Sequence, residues 1–144
     1  MKQFSKILFV AIFLGSFMLS SQASAQVTWK KPLHFLYKGT MTGNGKTLYI
    51  TMGFYWDNND GKVAGEYYYG SGKNGTIDFD GYYNAKTKTL AVSEFITNDN
   101  GERRYVRNTF EGKSAGGWYK GRFIIESEKK VYNFAVKLIK VYKR

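Results

Sequence analysis

Residues 47–55 read Thr-Leu-Tyr-Ile-Thr-Met-Gly-Phe-Tyr. Leu48, Ile50, Met52 and Phe54 fall on one parity; Tyr49, Thr51 and Tyr55 fall on the other. Successive side chains of an extended chain point to opposite faces, so the stretch predicts a strand with one dry and one wet side. Residues 76–83 repeat the pattern, with Ile77, Phe79 and Tyr83 opposing Asp78, Asp80 and Tyr82. Working outward, the same unit recurs along the chain: a short run rich in Tyr, Phe, Ile, Val and Thr, then a turn rich in Gly, Asn, Asp or Lys. The predicted strands are 33–38, 47–55, 62–69, 76–83, 89–96, 103–110, 118–125 and 131–142. Asn44-Gly45, Asp60-Gly61, Asn74-Gly75 and Asn100-Gly101 lie between them, and such pairs suit tight turns because these residues accept positive φ at low steric cost.

Short sequential antiparallel strands without crossover helices favour a meander, and a sheet of about eight strands removes its exposed edges by closing on itself. The expected fold is an all-β, closed or nearly closed barrel, with a two-sheet sandwich as the alternative. One domain is expected over 26–144, preceded by a cleavable signal peptide over 1–25. Lys2 and Lys6 give that segment its positive start, Ile7 to Leu19 its apolar stretch, and Ala23-Ser24-Ala25 its small residues for cleavage near Gln26. The apolar stretch falls short of the roughly 20 residues a helix needs to span a bilayer, so no transmembrane segment is expected in the mature form. Export, to a periplasm or beyond the cell, is the implied destination.

The chain has no Cys, so an exported domain of this kind would be stabilised by burial without disulfides. Its 18% aromatic content and single Pro argue against disorder, which requires a scarcity of apolar surface.

Gly65-Glu66-Tyr67-Tyr68-Tyr69 after a Gly-Lys-Val turn exit, and the glycine-bearing stretch from Phe110 to Trp118, resemble small secreted bacterial all-β domains of unassigned function. In general plan they are also similar to avidin-like and lipocalin-like barrels. The resemblance implies a barrel with an interior or a mouth open to a ligand, and it assigns no ligand-contact residue.

Removing Lys2 and Lys6 from the 22 basic residues leaves twenty against 11 acidic ones, a formal +9. The excess lies in residues 101–144, where twelve basic residues face four acidic ones. Arg103 with Arg107, and Lys120 with Arg122, share faces of their predicted strands and are the expected patch for an anionic partner. Export points away from nucleic acid and toward an envelope component or an acidic protein. The plainer reading of these cations is solubility and edge protection.

For a ligand, the candidates are Tyr67, Tyr69, Tyr83 and Trp118 as lining of a barrel mouth, since flat rings with polar tips grip sugars or apolar groups. Glu94 joins them because it shares parity with Leu90 and Val92. Placed inside, it needs a partner such as Arg107 or Arg122, because an unpaired buried carboxylate is costly.

Catalysis finds few of its usual residues. His34 is the single histidine, so Cys-His chemistry and a histidine metal cluster within one chain are excluded, and no nucleophile-elbow pattern accompanies it. Paired carboxylates hydrolyse glycosides when held roughly 5 to 9 Å apart, but Asp78 and Asp80 sit on the wet face. The Asp57-Asn58-Asn59-Asp60-Gly61 loop lacks EF-hand spacing, since a twelve-residue count from Asp57 ends at Tyr68. No cofactor, metal or catalytic residue is therefore expected. The leading functional expectation is a non-enzymatic exported protein binding a small apolar or sugar-like ligand in the barrel interior or its aromatic mouth. An interaction or inhibitory protein docking an anionic partner follows, and a small glycoside-type hydrolase stands third.

Overall fold

The computed structural model describes residues 27–56 and 60–142. The expected signal segment, residues 57–59 of the loop considered for calcium, and the terminal Lys143-Arg144 lie outside the described residues. Eight strands follow in chain order: β1 (Phe35–Gly43), β2 (Lys46–Trp56), β3 (Lys62–Tyr69), β4 (Ile77–Asn84), β5 (Thr89–Thr97), β6 (Arg103–Ala115), β7 (Trp118–Ile125) and β8 (Lys130–Val141). Each pairs antiparallel with its sequence neighbour, and β1 closes on β8. The chain is a closed eight-stranded meander barrel, as the alternation predicts, and not the two-sheet sandwich.

A meander fixes which loops share an end. The entry to β1, the exit of β8 and the β2–β3, β4–β5 and β6–β7 connections gather at one end, here the terminal end. The β1–β2, β3–β4, β5–β6 and β7–β8 connections form the far end. Asn44 and Gly45 close the first hairpin with φ of 52° and 71°, the conformation a two-residue turn needs to match strand twist.

Two strands run more than one residue past the predicted stops, β1 to Gly43 and β6 to Ala115. Glycines facing inward interrupt the apolar signal there, and the reason is local crowding. Gly112 and Gly121 are opposite each other on β6 and β7, and a Cβ on either would lie 2.0 Å from a carbonyl oxygen of the neighbouring strand. Without side chains the two strands coil tightly at this corner. Tyr119 crosses the space, its hydroxyl donating to the carbonyls of Leu90 at 3.0 Å and Phe110 at 3.1 Å.

Apolar side chains fill the middle of the barrel. Met41, Met52, Phe79, Val92, Phe110 and Val136 are fully buried, and Phe110 stacks on Phe123 at a centroid distance of 4.2 Å. Phe134 meets Phe110 and Tyr119 edge-on at 5.2 and 4.7 Å. Each buried side chain of this size contributes about 1.5–3 kcal/mol from water exclusion, which is what stabilises a domain without disulfides.

The predicted first strand began at Leu33, but that residue lies outside the barrel wall. Residues 27–34 form an arm across the outer faces of β2, β3 and β4. The bare backbone of Gly53 provides a seat where a Cβ would fall 2.6 Å from Leu33 and 2.9 Å from Trp29. Trp29 also packs on Tyr68 at 5.6 Å. Seating Leu33 between the arm and the outer wall satisfies its apolar character without a strand.

Candidate functional site

The far end is plugged by polar side chains. β5 and β6 slip register between Ser93 and Phe95, and Arg107 takes a φ of 61°, features of a bulge that re-aims its neighbours. Glu94 and Asn108 turn inward beside it. The Tyr67 hydroxyl donates to Glu94 Oε1, and Asn108 Nδ2 donates to Glu94 Oε2 at 2.8 Å. The Tyr69 hydroxyl lies 3.2 Å from that of Tyr67. Burial raises the Glu94 carboxyl above its ordinary pKa, and the bonds from Tyr67 and Asn108 partly oppose this by favouring the charged form. Burial, then the Glu94 charge, holds the Tyr67 phenol far above its usual value.

Glu94 therefore sits inside the barrel, but with neutral donors where the sequence suggested a cation. Arg107 faces Glu126 at 3.6 Å, and Arg122 pairs with Glu111 at 2.6 Å, both on the surface. The bulge separates Arg107 from the interior face, and the even parity of Arg122 on β7 points it outward, opposite Phe123.

At the terminal end the described residues leave a recess. A cavity of about 210 Å³ lies inside its mouth, walled by Phe35, Tyr37, Phe54, Val63, Tyr83 and Leu90, with Ser114 and Tyr55 completing the lining. Burial raises the Tyr37 phenol, with a hydrogen bond from Ser114 working against it. The Tyr83 hydroxyl reaches the Ser114 carbonyl at 3.5 Å. The mouth is thus an apolar wall carrying a few polar tips.

The ligand candidates read from sequence do not converge. Tyr67, Tyr69 and Glu94 belong to the far-end plug, Tyr83 lines the terminal-end cavity, and Trp118 is 37% exposed on the outer wall. Tyr68 points away from its two neighbours, as alternation requires, and is half-buried beneath Trp29.

The expected basic patch is divided too. Arg103 pairs with Asp80 at 2.6 Å and covers the Phe95 ring at 4.4 Å, while Arg107 and Arg122 have the acidic neighbours given above. Lys120 instead lies over Trp118, with Nζ 4.5 Å from the ring centroid. Asp78 joins Lys30 at 2.6 Å on the outer wall, so the two aspartates on the wet face are held in surface ion pairs.

Sequence parity missed Glu66. It points outward, yet it is fully buried because the arm covers it. The Lys30 backbone N–H donates to Oε2 at 2.8 Å and the Thr76 hydroxyl to Oε1. The available signals were Trp29 and Leu33, apolar residues ahead of the first strand with no strand face to occupy.

No family model, curated protein or solved structure matches the chain. What the fold and its interior define is an eight-stranded barrel with an apolar middle, a polar plug at one end and an apolar recess at the other. Among the described residues no group of three or more His, Cys, Asp or Glu side chains is placed to hold a metal ion. No helix among them is long and apolar enough to cross a membrane.

Proposed function

We propose that this chain is an exported, non-enzymatic binding protein that holds a small, mainly apolar group in its terminal-end cavity. The observation that carries the reading is the recess of about 210 Å³, walled by apolar side chains, at one end of a barrel with a fully buried aromatic core. Sites for drug-sized ligands occupy about 300–1,000 Å³, whereas an apolar cavity of about 150 Å³ accepts benzene. The recess therefore suits a group of one ring and a few further carbons. Tyr37, Tyr83 and Ser114 supply the polar contacts that would orient it.

A binding role is preferred to hydrolysis because Glu94, the buried interior carboxylate, is bonded to Tyr67 and Asn108 and lies at the end opposite the cavity. Export rests on the charge, apolar stretch and small residues of the first 25 positions.

Titration of the isotopically labelled domain with phenol, benzyl alcohol and cyclohexanol, followed by NMR, tests the reading. Shifts should cluster at Phe35, Tyr83, Leu90 and Ser114 and vanish in Leu90→Trp, which fills the recess. Saturating ligand without shifts, or shifts confined to the surroundings of Glu94, would argue against it.

A further inference from the structure

The outer wall near the terminal end carries a second, independent feature. Trp118 opens β7 just after Gly116-Gly117 and faces outward. Lys120 Nζ lies 4.5 Å from its ring centroid and Lys137 Nζ 5.8 Å. The register puts Lys137 of β8 directly beside Trp118, and Lys38 of β1 beside Lys137. On the other side Lys113 of β6 stands opposite Lys120. All four lysines are exposed, and none forms an ion pair with an acid among the described residues.

Three arginines of the same half behave differently, since Arg103, Arg107 and Arg122 each have an acidic neighbour. Scattered lysines on a surface serve solubility. Four on adjacent strand positions, two of them beside one indole, with Ala115 opposite Trp118 and Ala135 opposite Lys120, leave a positive field with small side chains between the charges.

We propose that this wall is a binding face for a linear acidic polysaccharide. Neighbouring strands are about 4.8 Å apart, so Lys38, Lys137 and Trp118 form a row about 10 Å long across three strands, with Lys120 and Lys113 in the next row. A chain laid across the strands meets ammonium groups from both rows, while one sugar ring takes the place of the Lys120 ammonium over the indole and that ammonium swings out to a carboxylate. Ring stacking uses the apolar face of the sugar, and the small residues on either side give it room. Lysine suits the task, because mobile point charges follow carboxylates spaced along a polymer.

A lipid surface fits less well. Interfacial anchoring needs apolar groups reaching about 5–10 Å into the headgroup boundary, and this indole is held on the wall between two lysines with 37% of its surface exposed. Single-stranded nucleic acid uses several rings for successive bases, and this face offers one.

Calorimetry with polygalacturonate, with neutral dextran, and with vesicles of phosphatidylcholine and phosphatidylglycerol tests the proposal on the intact mature protein. Binding is expected to polygalacturonate alone, and to weaken from about 50 to about 500 mM salt as the charges are screened. Trp118→Ala should lower affinity about tenfold, the scale of one lost stacking contact, while Trp118→Phe retains most of it. Lys120→Glu with Lys137→Glu should abolish binding, with an unchanged melting temperature showing that the barrel is intact. Leu90→Trp should bind as the parent does, which separates this face from the cavity. Equal binding of dextran, binding to vesicles in place of polygalacturonate, no binding to any of the three probes, or indifference to the double charge reversal would each overturn the proposal.

Discussion

The two ends of this barrel are built from the same residue types and do opposite things. At the far end Tyr67, Tyr69, Glu94 and Asn108 turn their polar atoms toward one another and close the interior. At the terminal end Tyr37 and Tyr83 keep theirs at the edge of an unfilled recess. The difference lies in Glu94, whose parity with Leu90 and Val92 turns a carboxylate inward for the far-end hydroxyls, while the bulge opposite it on β6 brings Asn108 alongside. Tyrosines that share a buried carboxylate become a plug; tyrosines whose partner is Ser114 on the barrel wall leave a mouth. Stability should therefore be concentrated at the far end and ligand sensitivity at the terminal end.

Truncating one tyrosine at each end tests this division most severely. Tyr67→Ala should lower the unfolding free energy by about 3–5 kcal/mol, because it opens a core void and removes a bond from Glu94. Tyr83→Ala, at a half-buried position beside existing space, should cost about 1–2 kcal/mol. Equal shifts in urea midpoint would remove the distinction.

Tyr67→Phe isolates the hydroxyl and should cost about 1–3 kcal/mol, the penalty for a buried acceptor losing its donor. The same network gives a pH signature. Burial holds the folded Glu94 carboxyl above its ordinary value, to which the unfolded chain returns it. Between those values the folded state binds more protons, so this group's contribution falls as pH rises and is lost above the raised folded value. Subtracting the Glu94→Gln stability profile from that of the parent should expose a fall with rising pH, leaving the variant the more stable at neutral pH; a flat difference would mean that Glu94 is solvated. The smallest effect is expected away from both ends. Arg122→Ala breaks an exposed pair with Glu111 and should change stability by less than about 1 kcal/mol.

Much of the architecture was legible because period-two alternation is a local property. β3 and β7 match their predicted limits, 62–69 and 118–125, and the remaining strands were found in order. β1 and β6 were cut short where inward glycines carry no apolar signal. The candidate site was far less legible. Parity correctly put Glu94 with Leu90 and Val92, but it could not name Tyr67 and Asn108 as partners, since they come from two other strands and a bulge. The burial of Glu66 on an outward-facing position was not legible at all, because an arm folding back over the wall leaves no periodic trace.

The sequence by itself determined that alternating strands and tight turns would make a meandering sheet, since both depend on neighbours one to four residues apart. Only the tertiary structure decided that the sheet closes into a barrel and not a sandwich, that one end is plugged while the other keeps a recess, and that Lys120 and Lys137 meet at Trp118. Each of these depends on which distant residues share a level of the barrel, and that is fixed by register between strands.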